Sequence, residues 1–205
     1  MIYLSDKKGF TLLEIIVSLS ILSILILGAM EMFNVSFRAD NFVQEGGTIQ
    51  ADAAKIVQTF IDELRTANYS NIGGYPIASA SGTEIVFYAN IDRDILIEKI
   101  RYFVNGNSFY KGVTKPTGTL LYSYVSSTEQ ITVLARNLQT PIGNVFTYYN
   151  EYYNGTTNTS TMPYPIILPD VRIVGLNLRL KQNTAANAPI FEVQTKVQIR
   201  SLKTN

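Results

Sequence analysis

Glu14 is the only charged residue between Phe10 and Met30, and the run that surrounds it is apolar. It follows Lys7-Lys8-Gly9-Phe10-Thr11-Leu12-Leu13 and opens onto residues 15–30, a stretch built from Ile, Leu, Val, Ser, Gly, Ala and Met. About twenty such residues, at ~1.5 Å of rise each, are enough for an α-helix to cross a bilayer. A carboxylate near the start of a membrane helix costs roughly 1 to 3 kcal/mol depending on its depth, so it marks a functional position whose partner is a cation. The chemistry on offer is charge pairing.

Few other residues carry chemistry. Histidine and cysteine are both absent, which removes the commonest general base, the commonest metal ligand and every thiol nucleophile. The serines have no histidine partner and no nucleophile-elbow glycine pattern, and no glycine loop of the phosphate-cradling kind occurs. An enzyme is not expected, nor a cofactor. Asn90, Asp92 and Asp94 offer oxygens at alternate positions, which could suit calcium. They lack the glycine and late bidentate glutamate of an EF-hand loop, so a solvated turn is the better reading and no metal is expected. Tyr148, Tyr149, Tyr152, Tyr153 and Tyr164 flank a polar loop; they offer an adhesive or sugar-stacking surface, or pack loop against sheet. With a net charge of +1 over 205 residues and no Lys/Arg cluster after the first eight, nucleic acid is not an expected partner.

The element that must position Glu14 is therefore a membrane helix, and three plain readings compete for it. A secretory signal peptide also begins with basic residues, and Leu27-Gly28-Ala29 is a passable cleavage site. Glu14 within the apolar core and a run longer than the ~7 to 15 residues of a signal core argue against it. A generic single-pass anchor explains the length and the lysines but not the offsets of glycine, phenylalanine and glutamate. A buried core helix conflicts with an unbroken run that has no polar face.

Lys7-Lys8-Gly9-Phe10-Thr11-Leu12-Leu13-Glu14 resembles the class III leader of type IV pilins and type II secretion pseudopilins. The resemblance implies that a prepilin peptidase cuts between Gly9 and Phe10 and N-methylates Phe10, leaving Glu14 as the fifth residue of the mature chain. It also implies that the new α-amino cation of Phe10 is neutralised by Glu14 of a neighbouring subunit inside an apolar filament core. The expected organisation is a removed leader over residues 1–9, a transmembrane half-helix over 10–30, an amphipathic continuation over 31–70 and a β-rich body over 71–205. The lysines keep the leader cytoplasmic and place the body outside.

Beyond the membrane run, Ile49, Ala53, Ile56, Phe60 and Leu64 recur at helical spacing, while Asp52, Lys55, Asp62 and Arg65 fall on the other face. Gly46-Gly47 is the expected kink or interruption, since each glycine costs ~1 kcal/mol against alanine inside a helix. Glycines and a proline over residues 71–76 end the helix. Strands are expected over residues 83–91 and 95–104, then 107–112 after a type I′ turn at Asn105-Gly106. Further strands are expected over 120–125, 130–138, 145–149, 171–180 (with a bulge at Val174-Gly175) and 191–199, with an exposed loop over 150–165.

One long helix followed by antiparallel strands makes an α+β body in which the sheet covers the helix's apolar stripe. That is the pilin layout. The Gly82-Thr83-led strand, the hairpin carrying Arg101-Tyr102 and Asn105-Gly106, Leu168-Pro169 and the final alternating strand resemble the J-type minor pseudopilins and related large minor pilins. Absence of proline between Phe10 and Asn68, and of cysteine, separates the chain from major pilins. The resemblance implies a structural subunit that initiates or caps a type IV pilus-like or type II secretion filament. Its expected partners are the prepilin peptidase, an inner-membrane assembly platform, sibling minor pilins and membrane lipid. Its expected place is the bacterial cytoplasmic membrane, then the extracytoplasmic filament. The alternative is a tip-displayed binding pilin for adhesion or DNA uptake.

Overall fold

The structure is a computed structural model that describes residues 11–92, 94–118, 121–139, 143–155, 161–182 and 188–203, the side chains of 37–48 excepted. The chain divides into two compact units, Met1–Gly46 and Gly47–Asn205. A single helix assignment, α1 (Leu12–Arg65), begins in the first and ends in the second. At Gly46-Gly47, the expected kink or interruption, the backbone is helical, and the division between the two units falls between these glycines. Two glycines weaken a helix without ending it.

In the first unit α1 carries a span, Leu12–Ser36, that is long and apolar enough to cross a membrane. Its side chains are exposed throughout, so nothing in this unit covers them. The Ser18, Ser20 and Ser23 hydroxyls donate to the carbonyls of Glu14, Ile16 and Leu19 at 2.7 to 2.8 Å. Each is satisfied within the helix, as an apolar solvent requires.

In the second unit α1 supplies Ala53, Ile56, Val57, Phe60 and Leu64 to the core, while Asp52, Lys55, Asp62 and Arg65 stay exposed. Among the described residues eight antiparallel strands complete it: β1 (Ile77–Ala80), β2 (Glu84–Ala89), β3 (Glu98–Asn105), β4 (Ser108–Thr114), β5 (Gln130–Ala135), β6 (Phe146–Tyr149), β7 (Ile173–Lys181) and β8 (Ile190–Gln198). They form two sheets, β1-β2-β3-β4-β5 and β6-β7-β8. Residues 137–139 join them: Leu138 N–H donates to the Asn107 carbonyl, and Gln139 N–H to that of Arg179, both at 2.8 Å. Phe60 lies between the sheets, edge-on to Tyr102 at 5.2 Å between centroids and 6.0 Å from Phe146. The layout is α+β and pilin-like: a long apolar N-terminal helix, then an antiparallel β body.

Several local expectations need correction. Asn105 pairs with Ser108, so the turn residues are Gly106 and Asn107, and only Gly106 (φ 58°) is left-handed. Positive φ at the first central position alone is the signature of a type II′ turn, which needs glycine there. Val174-Gly175 is not a bulge, since β7 keeps unbroken register with both neighbours. Gly175 is needed for another reason: a Cβ would come within 2.3 Å of Thr147 Oγ1 on the facing strand. Register shifts occur instead near Ile77/Ser79 and Phe109/Tyr110. Residues 121–125 form no strand, only the bridge Thr117–Ser123 before a 3-10 turn at Ser126–Thr128. β1 was not foreseen, because Ile77-Ala78-Ser79-Ala80 carries little strand propensity.

Candidate functional site

Gly9 and Phe10 lie outside the described residues, and Glu14 stands at the start of α1. Its carboxylate accepts the Thr11 backbone N–H at 2.9 Å and the Thr11 hydroxyl at 3.1 Å. The Thr11 hydroxyl in turn accepts the Glu14 N–H at 3.3 Å. This reciprocal pair is a capping box, which satisfies two orphan donors at a helix start. Thr-x-x-Glu at residues 11–14 is the sequence signature of this box. A carboxylate at a helix N-terminus also meets the favourable end of the helix dipole. Glu14 thus has a partner within its own chain, and its second oxygen is open to another.

The body places the other candidates differently. Tyr148 is buried, and its hydroxyl donates to the Ser81 carbonyl at 2.9 Å. Tyr164 donates to the Phe146 carbonyl at 2.6 Å, and Tyr149 meets Tyr153 at a 48° tilt, 4.4 Å between centroids, under the Lys196 ammonium. Of the five rings, Tyr152 stands most open, 79% exposed. These tyrosines mainly pack the loop onto the second sheet.

Charge pairs do structural work that the sequence reading missed. Glu63 on α1 accepts the Tyr102 hydroxyl at 2.7 Å and pairs with Lys111 of β4, deep enough that both charged side chains are largely covered. Burial, then the Glu63 charge, pushes the Tyr102 hydroxyl far above its usual titration range, so it stays a donor. On the opposite face of the first sheet Arg101 grips Glu129 through two 2.8 Å bonds, reaches Glu84 at 3.2 Å and lies 3.8 Å over the Phe103 ring. Glu129 crosses Gly112 to do so, where a Cβ would meet its Oε1 at 2.0 Å.

Asp92 and Asp94 in the β2–β3 connection and Glu98 at the start of β3 bring one carboxylate oxygen each to within 4.8 Å of one another. Asp92 and Asp94 are the residues of the expected solvated turn, and both are exposed. Glu98 had not been singled out, although it shares the strand parity of Ile100 and Tyr102 and is therefore on the core face of β3.

No curated protein matches this chain. Residues 4–30 match the family model of the prokaryotic N-terminal methylation motif, so the chain carries, ahead of an α+β body, the N-terminal motif of a type IV pilin-like protein.

Proposed function

We propose that this chain is a minor pilin or pseudopilin of the J type, a structural subunit that initiates or caps a type IV pilus-like or type II secretion filament. The observation that carries the reading is the methylation motif over residues 4–30, laid on a fully exposed apolar span that carries Glu14 at its start and Glu31 near its end. Residues 1–9 are the leader, cut from Phe10 by a prepilin peptidase that then methylates its amino group. Residues 10–30 hold the subunit in the cytoplasmic membrane, 31–70 continue the helix and 71–205 form the body outside. On release from lipid, the exposed span is covered by the equivalent spans of sibling subunits. The Phe10 amino cation, methylated and still protonated, needs a counter-charge in that apolar core, and Glu14 of a neighbour supplies one. A second role as a tip-displayed binding pilin has less support, since four of its five tyrosines are engaged within the body.

The test is site-specific crosslinking of subunits in native membranes. Glu14→Ala is expected to reach the membrane folded and processed, yet to lose association with its siblings. Wild-type association with every sibling would reject the pairing.

A further inference from the structure

The β2–β3 connection holds a carboxylate in an unusual state. Glu98 is 0% exposed, and its Oε2 accepts the Ile91 N–H at 3.1 Å. Its Oε1 has no hydrogen-bond partner. A buried carboxylate oxygen without a donor is costly, and native structures leave few of them without an explanation. A solvated turn accounts for Asp92 and Asp94 but not for this atom.

Glu98 belongs with Asp92 and Asp94 to a trio in which one carboxylate oxygen of each lies within 4.8 Å of the others. Two oxygens bound to one calcium ion at ~2.4 Å can be at most ~4.8 Å apart, so the spacing fits a shared ion. Asp94 accepts the Leu96 N–H through Oδ1 at 2.6 Å, and Asp92 pairs through Oδ2 with Lys115, whose side chain is 60% exposed. That ammonium makes no hydrogen bond to Glu98 Oε1. Among the described residues, Lys115 is the cation that pairs with this trio, through Asp92.

We propose that Asp92, Asp94 and Glu98 form a calcium site, with Lys115 as the resident cation that calcium displaces. An all-oxygen set selects a hard cation. An irregular loop suits the flexible coordination of calcium better than the strict octahedron of magnesium, and water or backbone carbonyls would complete the shell. The ion would stiffen more than its own loop. Ile97 N–H donates to Asn71 Oδ1 at 2.7 Å, and the Ile97 carbonyl accepts the Tyr124 hydroxyl at 2.7 Å. The connection is thereby tied to the segment that follows α1. The site stands independently of the pilin reading.

The test uses the full chain in detergent micelles, with calcium titrated after chelation and followed by thermal unfolding and by tyrosine-sensitised terbium emission, for which Tyr124 is placed. Calcium is expected to raise the unfolding temperature with a midpoint on the order of 0.1 to 1 mM, the range of extracellular modules, and magnesium to do much less. Glu98→Gln should weaken calcium binding at least tenfold, and Lys115→Met should tighten it several-fold. Should Glu98→Gln fail to fold, Asp94→Asn must show the weakened binding. No calcium response up to about 10 mM, a larger response to magnesium, or unchanged calcium binding in the folded variants would overturn the proposal.

Discussion

The Thr11 backbone N–H lies 2.9 Å from the Glu14 carboxylate, within one chain. A residue proposed to pair between subunits therefore also caps its own helix, and the two roles separate by substitution. Glutamine serves a capping box as glutamate does but carries no charge. Glu14→Gln is expected to keep the helix start intact and still fail to associate, whereas Glu14→Ala should also fray it, at ~0.5 to 2 kcal/mol. Amide exchange at residues 11–15 reads the cap and crosslinking reads the pairing. Full association of Glu14→Gln would assign this carboxylate to capping alone.

Gly9→Val should block removal of the leader, because the junction between the lysines and the apolar run then lacks its one small, flexible residue. Intact-mass measurement of protein from its native membrane checks this. A wild-type mature chain that begins anywhere other than Phe10 would reject the cleavage site.

Phe60 is 0% exposed between two sheets, in ring contact with Tyr102 and Phe146. Phe60→Ala should destabilise the body by ~3 to 5 kcal/mol, the usual range for emptying an aromatic site. Denaturant unfolding of the full chain, followed by near-UV circular dichroism, measures it. An unchanged midpoint would mean that α1 does not pack there.

Lys111→Met leaves the Glu63 charge covered and short of one partner, and should cost ~3 to 5 kcal/mol. Tyr102→Phe removes one hydrogen bond from the same carboxylate and should cost less, ~1 to 3 kcal/mol. Glu63→Gln combined with Lys111→Met should recover part of the first loss, because no charge remains buried. A double variant as unstable as the sum of its parts would show that the three groups do not act together.

Short-range periodicity by itself determines much of this protein. Twenty apolar residues broken by one glutamate, the three-and-four spacing from Ile49 to Leu64, and the alternation in β3 and β8 each depend on neighbours within one element, and each appears in the structure as read. Tertiary structure decided what depends on distant chain. The split into two sheets rests on residues 137–139 reaching both Asn107 and Arg179. The turn moved to Gly106-Asn107 because cross-strand register, set by Phe109 and Tyr102 both facing the core, outweighs the local appeal of Asn-Gly. Glu98 shows the division most sharply: parity placed it on the inner face, but only the packing around it could exclude water and leave one oxygen without a donor. Burial is a property of what folds over a residue, and no local pattern records that.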